Sequence, residues 1–374
     1  MNDFEEVTSL IFELGTFTYK IGTSGNDRPS YSPMPLLGIN NNNDMFYSKE
    51  EIDSYKNKDM KIIPFMSSTH GGIDNIDLFE TFFDDILTNH NILNDDMTKH
   101  PFLFSDPSIH NRTNRMKLTE LMFEHYAIPQ LFICKSSVLS SFAFGRTSCV
   151  VVDFGHTMMN VVPIHDGMIV KNSIVTNNNF NGININSDIE KMLNNESEIK
   201  DSSYDKSMLS YLSLNAIHNI KQIITNDDIE GDYTLPDGKL IHINKNEIKT
   251  NLHNKIFDES NGFKSDNNIS NMIYNSISKI ETDIKREMFN NILLCGGNSL
   301  LFDNTIAGKI QEDITKRVSM ATIVKVTSHP GEDRINTSWI GGSILTSLGS
   351  FVQWCVSKEE YEEHGAIIIE RKCA

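Results

Sequence analysis

Three short glycine-containing segments carry most of the chemical information in this chain. The first is Glu13-Leu14-Gly15-Thr16, followed by Lys20; the second is Asp153-Phe154-Gly155-His156; the third is Gly296-Gly297-Asn298-Ser299. A glycine at the tip of a β-hairpin lets backbone N–H groups approach a phosphate chain closely and permits positive φ. A carboxylate at the base of each hairpin, Glu13 and Asp153, suits a magnesium or calcium ion held through water. The Thr16 hydroxyl can bond a phosphate oxygen, Lys20 can neutralise phosphate charge, and a helix start at Gly296-Gly297 can approach a nucleoside or phosphate. Any one glycine hairpin is explained by the needs of a turn alone. The ordered set of hairpin, hairpin, Gly-Gly and a second Gly-Gly at Gly341-Gly342 is far more specific.

The elements around these segments repeat. Residues 7–22 read as strand, Gly turn, strand, and residues 148–170 repeat that pattern with a further turn at Asp166-Gly167. Apolar spacing predicts helices over 73–93, 112–126 and 187–225, and over 269–288. LFICK at 131–135 and NILLC at 291–295 read as buried strands, 322–326 as another, and SVLSSFAFG as a helix closed by Gly145. YTLPDGKLIHI predicts a hairpin around Pro236, Asp237 and Gly238, and Gly341-Gly342 a turn opening a last helix. Two similarly built α/β lobes facing each other across a cleft follow from this duplication.

A chain of 374 residues exceeds one hydrophobic core, and 39% hydrophobic residues suffice for two. The net charge of −17 argues against charge-driven binding to DNA and suits either basic partners or plain solubility. Five scattered cysteines, Cys134, Cys149, Cys295, Cys355 and Cys373, show no metal or redox spacing and read as free thiols. The acidic start MNDFEEVTSL does not read as a signal peptide, and no apolar run reaches membrane-spanning length. A nuclear or cytoplasmic setting is the expectation, although no basic import cluster is visible. Runs at Asn40–Asn43 and Asn177–Asn179 read as polar surface loops.

The ordered glycine set resembles the actin superfamily, which includes hexokinase-type kinases and the large heat-shock ATPases. The run SWIGGSILTSLGSFVQWCVSKEEYEEHGAIIIERKCA resembles the actin C-terminus almost position by position. KLTELMFEHYAIPQLFICKSSVL, VVPIHDG and EYEEHG with ERKC are similar to the nuclear actin-related protein 4 family. The resemblance spans about three quarters of the chain, on the reading of one sequence. It is strong in 5–29, 112–170 and 290–374 and poor in 34–69 and 178–268. It implies an α/β actin-like ATPase fold of two duplicated lobes in four subdomains. Subdomain 1 takes 1–33, 70–145 and 335–374, and subdomain 2, reduced, takes 34–69. Subdomain 3 takes 146–180 and 262–334, and subdomain 4 takes 181–261.

What the resemblance implies for the site is a nucleotide cleft of Gly15, Thr16, Lys20, Asp153, Gly155, Lys221, Gln222, Gly296 and Gly297, with Glu13 and Asp153 toward the metal. Several positions depart from actin. Glu13 replaces an aspartate, His156 an aspartate, Thr157 a glycine, and Leu300 a methionine that packs on the nucleoside. Ser136 and Asn160 stand where a glutamine and a histidine orient the attacking water, so no residue is assigned a catalytic role. ATP with magnesium or calcium, held without appreciable hydrolysis, and an empty cleft both remain open readings.

Filament contacts are weakened too, because Leu37-Gly38-Ile39 with its Asn run is short and Gly262–Asn267 is polar. A partner groove between the lower subdomains is implied at Phe142, Ala143, Gly145, Thr147, Leu345, Leu348, Phe351 and Trp354. The same residues serve equally as core beneath the C-terminal helices. The implied role is a non-filamentous nuclear subunit of chromatin-remodelling or histone-acetyltransferase assemblies. Its partners there are actin and the helicase-associated helix of a remodelling ATPase, with histones a further candidate. The alternative is a divergent cytoskeletal actin that hydrolyses ATP slowly; a small-molecule kinase lacks a second placed catalytic aspartate.

Overall fold

The computed structural model describes residues 8–55, 59–67, 69, 71–90, 92, 96–108, 111–193, 204–226, 231–235, 238–257, 268–302 and 305–373. The chain opens with the hairpin β1 (Leu10–Leu14) and β2 (Tyr19–Thr23). A small three-stranded unit follows, made of β3 (Leu36–Ile39), β4 (Met45–Phe46) and β5 (Lys61–Pro64), with α1 (Lys49–Ser54) between β4 and β5. Then come α2 (Ile76–Asn89), β6 (Phe102–Asp106), α3 (Arg112–Glu120), β7 (Gln130–Lys135) and α4 (Ser136–Ala143). A π-helical turn over Leu121–His125 continues α3.

The second lobe repeats the plan with β8 (Cys149–Phe154), β9 (Met159–His165), β10 (Met168–Ile169) and β11 (Val175–Asn177). Helices α5 (Gly182–Met192) and α6 (Lys206–Thr225), the hairpin β12 (Asp232–Thr234) and β13 (Leu240–His242), and α7 (Lys245–Ile256) follow. The lobe closes with α8 (Ile269–Ser278), α9 (Thr282–Asn290), β14 (Ile292–Cys295), α10 (Thr305–Thr315) and β15 (Val326–Ser328). The chain returns to the first lobe through α11 (Thr337–Thr346), α12 (Phe351–Trp354), β16 (Val356–Ser357), α13 (Lys358–His364) and α14 (Ile368–Lys372).

The duplication is visible in strand order and register. One sheet runs β16-β7-β6-β1-β2 and the other β10-β9-β8-β14-β15, with β11 also on β9. In each, an antiparallel hairpin joins a parallel strand, β1 with β6 and β8 with β14. Leu14↔Tyr19 closes the first hairpin and Phe154↔Met159 the second, so both loops span four residues. Glu13↔Lys20 and Asp153↔Asn160 are therefore equivalent pairs. At both tips the glycine is sterically required: a Cβ on Gly15 would meet Thr18 O at 2.3 Å, and on Gly155 Met158 O at 2.6 Å.

Each lobe has its own core. Phe12, Phe79, Phe82, Phe83, Phe102 and Phe104 fill the first, and an Ile-rich cluster over β8 and β14 with α5 to α10 fills the second. A third cluster lies between the sheets and holds Ile11, Leu103, Leu139, Val151, Leu293 and Trp339. The chain crosses between lobes through α4 and α11, and these helices pack against each other at backbone distance. A Cβ on Gly341 would lie 1.7 Å from Leu139 O.

Several expectations change in detail. Gly341-Gly342 sits inside α11 rather than in a turn before it, because the helix needs bare backbone where it meets α4. The strand expected at 322–326 is Val326–Ser328, paired with β14. The helix over 269–288 is two helices, broken where Lys279 and Ile280 close onto Ser276 and Ile277. The helical region over 187–225 is α5, beginning earlier at Gly182, and α6. Pro236 and Asp237 of the expected hairpin tip, and Gly262–Asn267, lie outside the described residues.

Replacing Gly341 by alanine should force α4 and α11 apart and cost about 3 kcal/mol. Gly308, inside α10 with nothing within 4 Å of where a Cβ would sit, is the control. Gly308→Ala should be neutral or gain about 0.5–1 kcal/mol, read from denaturation midpoints of the two variants.

Candidate functional site

A cavity of about 340 Å³ opens between the two hairpins. All the cleft residues expected from sequence line it: Glu13, Gly15, Thr16, Lys20, Asp153, Gly155, Lys221, Gln222, Gly296 and Gly297. The hairpins bring the first six to one wall each, and α6 supplies Lys221 and Gln222. Gly296 has φ +89°, and a Cβ there would strike Asp153 Oδ1 at 2.6 Å and Phe154 N at 2.7 Å. That turn can therefore approach β8 only as glycine. Asn298 ties it to the second hairpin by donating to Gly155 O at 3.1 Å, while its Oδ1 accepts from Lys221 Nζ at 2.9 Å.

The charge arrangement is asymmetric across the equivalent pairs. Lys20 is buried and paired with Glu13. Asp153, opposite Asn160, has no such direct partner on its own hairpin, and burial, reinforced by Glu13, pushes its carboxyl up to about 6. Asn160 is buried and its Oδ1 has no hydrogen-bond partner. Two carboxylates with an orphaned amide oxygen beside them fit a hydrated divalent cation, whose waters would donate to all three. No group of three or more His, Cys, Asp or Glu side chains among the described residues forms a direct metal cage. Glu13, Asp153 and Asn160 would hold such an ion through its water shell.

Burial shapes the remaining cations. It lowers the Lys221 ammonium to about 7 and holds His156 and His218 at about 4, so both imidazoles are neutral at pH 7. Phe17 lies between those two rings, with centroids 5.1 Å from His156 and 5.0 Å from His218. Thr16 Oγ1 reaches Thr157 Oγ1 at 3.4 Å, so the hairpins meet at their tips. Sequence reasoning did not single out Phe17, His218, Arg334 or Ser338, all of which line the cleft. An aromatic residue inside a glycine hairpin tip was the available signal for Phe17. Ser136 and Asn160 both line the cavity, as does Leu300.

The residues assigned to a partner groove separate into two sets. Leu345 and Phe351 are buried in the cluster between the sheets and support the surface from below. Leu348 and Trp354 are exposed, together with Ile344 and Val352, which sequence reasoning did not name. Phe142 and Ala143 are half-buried at the end of α4, and Gly145 and Thr147 are exposed beyond it. Beside α12, α13 carries exposed Glu359, Glu362 and Glu363, whereas Glu360 is engaged by Lys372.

Comparison with known proteins agrees with this architecture. The family profile described as Actin matches residues 4–207 and 203–374. Actin-related protein 4 of Arabidopsis thaliana is 28% identical over 442 aligned residues, covering 99% of this chain and 99% of that protein. The alignment is longer than this chain, so the relative carries insertions that are absent here.

Asp153 sets a pH dependence. Its folded value near 6 lies above the ordinary 3.8, so its proton is held on folding and lost when a cation arrives. Magnesium or calcium should therefore bind more tightly as pH rises through 6, with proton release that vanishes above about pH 7. Calorimetry in buffers of different ionisation enthalpy measures that release, and Asp153→Asn should abolish it.

Proposed function

This chain belongs to the actin family, and from that premise we propose that it is a non-filamentous, nuclear actin-related protein serving as a structural subunit of chromatin-modifying assemblies. It would hold ATP with magnesium or calcium in the cleft and scarcely hydrolyse it. Its partners would be actin and the helicase-associated helix of a remodelling ATPase, with histones as further candidates. The subdomain boundaries given above would apply to it. The observation that carries this reading is the end-to-end similarity to an actin-related protein 4, with both chains covered almost completely.

Three local features support it. Where actin orients its attacking water, the cleft presents Ser136 and Asn160, and neither offers a base. Lys20, Glu13 and Asp153 remain in place to hold phosphates and a hydrated cation. With Ser136 and Asn160 at the water-orienting positions, those groups would bind ATP and scarcely turn it over. The segment Leu37-Gly38-Ile39 lies wholly within β3 of a paired sheet, with Leu37 fully buried, and so offers little chain for insertion into a neighbouring subunit. No helix among the described residues is long and apolar enough to cross a membrane.

Docking would use the exposed row Ile344, Leu348, Val352 and Trp354 as an apolar floor for a helix. The exposed carboxylates Glu359, Glu362 and Glu363 would attract its basic face and speed encounter. Affinity purification of the tagged chain should recover a Swi2/Snf2-type ATPase together with actin. Recovery of cytoskeletal filament or capping subunits instead would reverse the assignment. Trp354→Ala should weaken association with the ATPase helix by about 2 kcal/mol, roughly thirtyfold in Kd, while nucleotide binding is retained. Unchanged recovery of the ATPase by folded Trp354→Ala protein would place the helix elsewhere.

A further inference from the structure

Part of the cavity wall belongs to neither hairpin. Asn186 from α5, with Lys221, Gln222 and Thr225 from α6 and Leu300 after the Gly296 turn, lines it from the second lobe alone. The amine and amide on α6 are already engaged. Lys221 Nζ donates to Asn298 Oδ1 at 2.9 Å, and Gln222 Nε2 donates to Nε2 of the neutral His218 ring at 3.3 Å. Asn186 differs. Its Oδ1 is buried, and no donor among the described residues reaches it. Withdrawing an amide oxygen from water without a donor costs more than an ordinary hydrogen bond contributes. Such an atom in a cavity wall points to a ligand that brings the donor.

The backbone holds this oxygen against the cleft. Asn181 caps α5 by accepting from Asn184 N at 2.9 Å, and its Nδ2 donates to Thr157 O at 2.6 Å. Gly182 N and Ile183 N donate to Gly155 O and His156 O, each at 3.0 Å, so the first turn of α5 is bonded to the second hairpin. Asn186 lies four residues after Gly182 and shares its helix face. That face is pressed to the cleft, since a Cβ on Gly182 would come within 2.7 Å of Asn298 Nδ2 and 2.8 Å of His156 Cα. The other cavity-lining amide oxygen without a donor, Asn160 Oδ1, stands opposite Asp153, where the hydrated cation would sit. Phosphates held at the hairpin tips beside Lys20 leave the base of the same nucleotide to meet α5 and α6. We propose that Asn186 reads that base: its Oδ1 accepts from an exocyclic ring amine, so the cleft selects adenine. A purine with a carbonyl there, such as hypoxanthine, sets a second acceptor against that oxygen and leaves it unpaired. The inference rests on the reading of the cleft as a nucleotide site and adds which base it takes and which residue chooses it.

Equilibrium titration of the full-length chain with ATP and with inosine triphosphate, each with magnesium, tests this, because the two differ on the base edge alone. ATP should bind about tenfold or more tightly than inosine triphosphate. Asn186→Leu keeps the side-chain volume and removes the acceptor. It should lose most of the preference through weaker ATP binding, while its affinity for inosine triphosphate, which also reports a folded cleft, stays within about twofold of wild type. Asn186→Asp keeps an acceptor and removes the amide donor, so the preference for ATP should survive. Its loss in Asn186→Asp would show that the amide nitrogen reads the base, and would overturn acceptance by Oδ1. Equal affinities in the wild type, or a preference untouched by Asn186→Leu, would overturn base reading by Asn186 and leave the nucleotide site standing. Binding of neither nucleotide by the wild type would overturn the site itself and this inference with it.

Discussion

The approach of α4 and α11 at Gly341 is the constraint on which the rest of the molecule depends. The chain enters the second lobe through α4 and leaves it through α11, so these helices are the base of the cleft. With only hydrogen at Gly341, the α11 backbone comes within contact of Leu139 O. Gly342 next to it lies against Ile11 and Leu103, from β1 and β6. Trp339 of the same helix lies under β2, where a Cβ on Gly22 would meet its ring at 2.7 Å. One helix thereby sets the position of the first hairpin relative to the crossing. The second hairpin follows directly from α4, because β8 begins a few residues after it. Close packing of this kind transmits position because interiors have little room to yield.

Once the hairpins face each other, electrostatics decide what the cleft can accept. Two carboxylates, one paired lysine and one desolvated lysine leave a site with little excess positive charge. Phosphates entering alone would meet Asp153 and Glu13; phosphates entering with a divalent cation would relieve them. His156 and His218 stay unprotonated at neutral pH and lie against Phe17, so neither adds positive charge to the cleft. A cleft with Ser136 and Asn160 where actin orients its attacking water suits the proposed scaffold better than an engine.

The two-lobed plan was legible in the sequence because it rests on patterns of short range. Hairpin tips need glycine, buried strands are apolar, and the same order appears twice, near Gly15 and near Gly155. Most of the cleft residues were legible for the same reason, lying on those hairpins and on one turn at Gly296, whereas Lys221 and Gln222, on α6, came from the family resemblance alone. Position along helices was harder. Gly341-Gly342 has the composition of a turn, and only the proximity of α4, nearly two hundred residues earlier, explains it as helix interior. The division of the partner face into buried Leu345 and Phe351 and exposed Leu348 and Trp354 depends on how α11 and α12 are rotated over the core, which periodicity in so short a helix does not fix. The cluster of Ile52 and Met60 with Met208 and Tyr211 was hidden altogether, since its members come from segments in which the family resemblance is weakest.

The central claim is that the cleft holds its nucleotide as structure and not as fuel. Protein loaded with ATP and magnesium, freed of excess nucleotide and quenched at intervals, reports this directly through the ratio of ADP to ATP that remains bound. The account predicts that the bound nucleotide stays ATP over hours and that monomeric protein persists in salt and magnesium that polymerise actin. Conversion to ADP with turnover comparable to filamentous actin would contradict it.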